Sequence, residues 1–157
     1  MISVHIYPEM AVVDQNFLDH LVISIVSPGR EHPNIVGSNV HQFHFHDVTQ
    51  DYMVDSGIIN AMTKEVAEAI VHVVMESLDK GCERWIIHCE AGISRSPGVA
   101  IGLAKYIDLR PGRRRLREMF PFYNKHVCRM IEEAMEIKMK ELEKLLPPPG
   151  CDGFEGF

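Results

Sequence analysis

Residues 88–96 read HCEAGISRS, and the residue types and spacing suit nucleophilic attack on a tetrahedral oxyanion. Cys89 is the candidate nucleophile. Arg95, six residues on, is a permanent cation whose planar fork can hold two phosphate oxygens. Suppose residues 89–95 curl between the end of a strand and the start of a helix. The backbone N–H groups of Glu90, Ala91, Gly92, Ile93, Ser94 and Arg95 then turn inward and join the unsatisfied donors of the first helical turn. That makes a cradle for a phosphate group. Gly92 gives a tight loop the backbone freedom it needs. The same donors and cation favour a thiolate over a thiol. His88 can orient the loop through hydrogen bonds, and the hydroxyl of Ser94 or Ser96 can stabilise sulfur as it leaves.

The rest of the chain must supply that strand and that helix. ISVHIY (2–7), LVISIV (21–26), VHQFHF (40–45) and RWIIH (84–88) are short apolar, β-branched runs bounded by turn formers or charge, and they predict strands. Helical patterns lie between and after them: a short one near 8–17, and a long one over 60–81 in which Ala67, Ile70, Val71, Val74 and Leu78 recur at helical spacing and Gly81 can cap the end. A buried helix is expected over 96–109, ending at Arg110-Pro111-Gly112, and an amphipathic one over 124–146 that Asn124 can cap. Strand, loop and helix alternate, which predicts an α/β fold: a central, mostly parallel sheet of about four to five strands flanked by helices. In such sheets ligands sit at the carboxyl ends of strands, where the strand 84–88 delivers Cys89.

Composition narrows the setting. The chain has 157 residues, 46% hydrophobic and 24% charged, enough for one core. One domain is expected over 1–146, with a C-terminal tail over 147–157. A formal net charge of −6 argues against a nucleic-acid partner. No apolar run approaches the roughly 20 residues that span a bilayer, and MISVHIYPEM lacks a signal-peptide pattern, so no membrane partner and a cytoplasmic location are expected. Four cysteines without a CxxC pair suggest free thiols rather than zinc or a redox couple, so Cys82, Cys128 and Cys151 are expected to be structural or incidental. His41, His44 and His46 are expected on one face of a strand, as a packing or solvated face and not a metal site. The basic stretch RPGRRRLRE (110–118) is expected to be a solvated turn, with docking of acidic phosphosubstrates as the sharper alternative.

HCEAGISRSP resembles the His-Cys-x5-Arg-Ser phosphate loop of the cysteine-dependent protein tyrosine phosphatase superfamily, and its compact dual-specificity branch in particular. The resemblance covers most of residues 2–145. It implies a two-step reaction through a cysteinyl-phosphate, with no metal and no cofactor. Matched to the motif, Cys89 is the nucleophile, Arg95 binds phosphate and Ser96 assists release of the thiolate. It also allows Asn124 a role in bracing the phosphate loop. The general acid falls in HDVTQDYMVDSG, where Asp47, Asp51 and Asp55 are candidates. The family's acid follows the strand that precedes the long helix, which favours Asp47, with Asp51 second and Asp55 nearer a helix start. The only tryptophan, Trp85, lies within a strand, so the Trp-Pro-Asp loop of the large tyrosine-specific enzymes is missing. Gly98 stands where many compact relatives carry Thr or Ala, a departure that bears on helix packing.

The expected function is hydrolysis of phosphotyrosine in a phosphoprotein or peptide, with phosphoserine and phosphothreonine as further substrates, by a monomer. Three alternatives stay open. A phosphoinositide or RNA 5′-triphosphate would call for an added Lys or His in the loop, and Glu90–Ser94 offers none. A rhodanese-like sulfur carrier fits the Arg-Ser ending less well. A phosphate-recognising module without turnover keeps the same loop.

Overall fold

The computed structural model describes residues 1–148; the expected tail lies outside the described residues from position 149 onward, as does Cys151. Five strands form one sheet: β1 (Ile2–Pro8), β2 (Leu21–Val26), β3 (Val40–His44), β6 (Arg84–Cys89) and β7 (Leu109–Arg110). Their order is β3-β2-β6-β1-β7, and each neighbouring pair is parallel. A separate antiparallel hairpin joins β4 (Tyr52–Val54) to β5 (Gly57–Ile59). The helices are α1 (Glu9–Val12), α2 (Lys64–Asp79), α3 (Arg95–Leu103), α4 (Arg113–Met119) and α5 (Lys125–Glu143).

The central strands are mostly apolar because both their faces are covered. All six residues of β2 are buried, and so are five of the six in β6. Side-chain alternation sends Leu21, Ile23, Ile25, Trp85 and Ile87 toward α2, α3, α4 and α5, where they join Ile70, Val74, Ile101, Leu116 and Ile131 in the main core. Full burial of each such side chain contributes roughly 1.5–3 kcal/mol. The opposite face is thin. There Val22 and Ile86 pack only with Val12 of α1 and with Tyr7, Phe17, Ile35 and Val40.

Several expectations are corrected. The helix expected over 96–109 stops at Leu103, and Leu109 instead pairs with Ile2 at the sheet edge. RPGRRRLRE is not a turn: its centre is the helix α4, held by the one buried residue Leu116. Asp55 does not approach a helix start but lies in the β4–β5 turn, while Thr63 caps α2 by accepting the Val66 N–H. The three histidines do not share a face, because His41 and His44 are an odd number of residues apart. His41 bonds Asn39, His44 packs edge-on against His32, and His46 lies beyond the strand. Gly81, with φ of 75°, ends α2 as expected. Among the described residues no helix is long and apolar enough to cross a membrane.

Candidate active site

β6 occupies the middle of the sheet, between β2 and β1, so the chain leaves it at the switch point of the strand order. Cys89 is its last residue, and α3 begins at Arg95. The connecting loop rests directly on the end of β1. Gly92 takes φ of 71°, and a Cβ there would stand 2.6 Å from Pro8 N and 2.8 Å from the Tyr7 carbonyl carbon. Only glycine fits both that conformation and that approach.

The cysteine sulfur is buried at the bottom of the loop. It accepts the Gly92 N–H at 3.2 Å and lies 3.1 Å from the Ser96 hydroxyl. Two donors thus meet at the atom that would carry negative charge. Among the described residues, the N–H groups of Ala91, Ile93, Ser94 and Arg95 donate to no protein acceptor, which leaves them for an incoming anion. Ile93 is the exposed lip of the loop.

Arg95 is only 5% exposed, and its guanidinium is fixed from several sides. One terminal nitrogen donates to the Phe45 carbonyl at 2.8 Å and to the Ser27 hydroxyl at 3.1 Å, while the other lies 3.4 Å from Glu90 Oε1. The Glu90 side chain turns toward the turn after β2, where it accepts the Ser27 N–H at 3.0 Å and pairs with Arg30 at 2.9 Å. Burial opposes the charge on Glu90, but the Ser27 hydroxyl and N–H, followed by Arg95 and Arg30, outweigh it and hold the carboxyl down at about 2. Glu90 can therefore contribute its backbone to the cradle while its carboxylate orders the arginine. Ser27, Arg30 and the Phe45 carbonyl escaped the sequence reading. The available signal was the Ser27-Pro28-Gly29 turn straight after β2, at the carboxyl edge where such sites form.

Asp47 faces the loop from the segment after β3. Its Oδ1 accepts the Ser94 hydroxyl at 2.7 Å and the Asn124 amide at 2.9 Å. Asn124 links α5 to the loop after β6. Its Oδ1 caps α5 by accepting the Val127 N–H, and its backbone N–H donates to the Ser94 carbonyl at 2.9 Å. Asp51 is engaged elsewhere, accepting the Ala61 N–H at 2.7 Å.

His88 lies on the thin face. Its Nε2 meets the Ser24 hydroxyl, which also bonds His32 Nδ1 at 2.7 Å, and its Nδ1 lies 3.4 Å from the Cys89 carbonyl. One consistent proton order runs from His32 Nδ1–H to Ser24, from Ser24 to His88 Nε2, and from His88 Nδ1–H to the loop. Burial lowers the His88 pKa, and burial followed by His44 and His88 lowers that of His32 to about 4.

The other described cysteines, Cys82 and Cys128, lie apart from this site. Cys82 precedes the opposite end of β6, roughly 20 Å from Cys89 at strand rise, far beyond disulfide reach. Cys128 donates to Glu132, and its thiol is pushed up to about 12, chiefly by burial and then by that carboxylate. Among the described residues no three His, Cys, Asp or Glu are grouped to hold a metal ion.

No family model and no curated protein matches the chain. Among solved structures, the human tyrosine phosphatase-like serine/threonine/tyrosine-interacting protein aligns with a TM-score of 0.58 and 15% identity, over 87% of this chain and 93% of that one. The fold is phosphatase-like. At that identity the likeness concerns the fold alone.

Proposed function

We propose that the protein is a cysteine-dependent phosphomonoesterase acting on phosphoproteins, foremost on phosphotyrosine and also on phosphoserine and phosphothreonine. The observation that carries this is the convergence of Cys89 Sγ, the Gly92 N–H, the Ser96 hydroxyl, the buried Arg95 and Asp47 around one loop. The substrate phosphate would sit on the free loop N–H groups with Arg95 against two of its oxygens. The thiolate of Cys89 attacks phosphorus, and the P–O bond to the substrate breaks as Asp47 protonates the departing oxygen. Water then attacks the cysteinyl-phosphate and gives a proton to the Asp47 carboxylate. The P–S bond breaks with its electron pair going to sulfur, and the Ser96 hydroxyl donates a hydrogen bond to the thiolate that departs. Nucleophile, charge stabiliser and proton donor all come from the chain, so the cycle needs no metal step.

Hydrolysis of an aryl phosphate, in chelator and reductant, tests this directly. The wild type is expected to turn over and Cys89→Ser to lose at least about 10³-fold. Activity that survives in Cys89→Ser would remove the thiolate mechanism. A folded wild type that binds phosphopeptide without turnover would instead be a phosphate-recognising module.

A further inference from the structure

The most basic part of the chain is not used by this chemistry. α4 and the loop that follows it form one wall of a cleft of about 650 Å³, lined by Arg113, Arg114, Arg117, Glu118, Tyr123 and Lys125. Arg113 is committed to the fold: it pairs with Glu132 at 2.6 Å and donates to the Ile101 carbonyl, tying α4 to α3 and α5. Arg114 reaches Glu118 at 3.4 Å, yet its side chain is 95% exposed, which makes the pair weak. Arg117 and Lys125 have no ion-pair partner among the described residues. With Arg113 neutralised by Glu132, three cations, Arg114, Arg117 and Lys125, share one carboxylate, Glu118, in a protein whose formal net charge is −6.

One end of the cleft, at Lys125, lies a single residue from the 89–95 loop's partner Asn124. Lys125 directly follows Asn124, which bonds both the Ser94 carbonyl and Asp47. Arg114 and Arg117 lie on the exposed side of α4, a helix about 10 Å long, and Lys125 lies at the start of α5, so these cations do not converge on one buried point. That spacing suits several carboxylates on an extended chain, where about three residues cover the same distance. A single phosphate would need convergent donors.

We infer that this cleft docks an acidic peptide segment, several Asp or Glu residues flanking the phosphorylated residue, and so sets the substrate class. This rests on the phosphatase reading of the loop beside it. Long-range attraction between such a segment and the cleft also raises the rate of encounter, against the repulsion expected from the remainder of the surface.

The test compares two phosphotyrosyl peptides that differ only in a Glu-rich or a Gln-rich flank. The proteins are the wild type, Arg114→Glu/Arg117→Glu and Arg114→Gln/Arg117→Gln. The wild type is expected to favour the acidic peptide by about five- to tenfold in kcat/KM. That preference should vanish in the Glu pair, shrink in the Gln pair and fade at high salt, while turnover of a small aryl phosphate stays unchanged in all three. Equal rates on the two peptides in the wild type, or a preference that survives charge reversal, would overturn the inference. If nothing is hydrolysed, the phosphatase reading fails separately, and peptide binding to Cys89→Ser by fluorescence anisotropy decides the docking. Loss of acidic-peptide binding with the Arg pair reversed supports the cleft, and no difference overturns it. Binding of phosphatidylserine vesicles or of an oligonucleotide that depends on Arg114 and Arg117, without discrimination between the peptides, would assign the cleft to another partner and overturn it as well.

Discussion

Asp47 is held at Oδ1 by Ser94 and Asn124, and no described residue donates to Oδ2. Two fixed donors on one oxygen orient the carboxyl and leave Oδ2 free to face a leaving group, the placement that the proposed general acid requires. Asp47→Asn keeps the hydrogen-bonding shape but has no proton to give. It is expected to lower kcat by about 10²–10⁴-fold on alkyl or peptide phosphates, and much less on an aryl phosphate whose leaving group departs unaided. Asp51→Ala should strand the Ala61 N–H, cost about 1–2 kcal/mol of stability, and leave that leaving-group dependence in place. If Asp51→Ala abolishes turnover of poor leaving groups and Asp47→Asn does not, the acid has been misassigned. The loop that carries Cys89 and Arg95 from a strand end to a helix start was legible in the sequence because its parts lie within nine residues. The anchors of Asp47 were not. Ser94 and Asn124 are 47 and 77 residues away along the chain, and only the fold brings them together.

The contact between α3 and α5 sets the reach of Asn124. A Cβ on Gly98 would lie 2.8 Å from the Asn124 carbonyl oxygen, and one on Gly102 would lie 2.8 Å from the Cys128 carbonyl oxygen and from Ile131. Both glycines let the backbones of the two helices approach closely. Gly98→Ala is therefore expected to push the start of α5 away from α3, destabilise the protein by about 1–3 kcal/mol, and loosen the hold of Asn124 on Asp47. Urea denaturation should show the lowered midpoint, and kcat on alkyl phosphates should fall further than kcat on aryl phosphates. A Gly98→Ala protein with unchanged midpoint and rates would mean the helices separate freely. The long elements could be read from periodicity, since α2 and α5 each bury one stripe of apolar residues. The short ones could not. β7 has two residues, the β4–β5 hairpin is mostly exposed, and α4 buries Leu116 alone among arginines, so none carries a pattern that stands out from a loop. The 96–109 pattern misled for a related reason: Leu109 is buried, but in the sheet and not on a helix.

The molecule as a whole is lopsided, with four helices over one face of the sheet and a single short helix with loops over the other. On the thin face, His32 and His88 share Ser24 behind the phosphate loop, and both are held below the usual histidine range, mainly by burial. The unfolded chain takes up protons on these rings near pH 6.5, whereas the folded protein resists until the pH falls toward about 4 at His32. Over that interval the unfolded state binds more protons, so stability must drop as pH falls. Burial lowers His20 and His41 as well, and they act with the same sign. Glu90 adds a second loss lower down. Its folded carboxyl titrates at about 2 against an ordinary value of 4.5, so the stability it confers is complete above 4.5 and disappears as pH falls through 2. Urea midpoints measured from pH 8 to pH 3 are therefore expected to fall first between about pH 6.5 and 5, before most carboxylates titrate, and again below 4.5. His32→Gln should shrink the first step and spare the second, because it removes one of the rings that the fold keeps neutral and leaves the Glu90 cluster intact. A midpoint that holds steady or rises between pH 6.5 and 5 would show that the rings accept protons as readily folded as unfolded, and that the thin face is open to water.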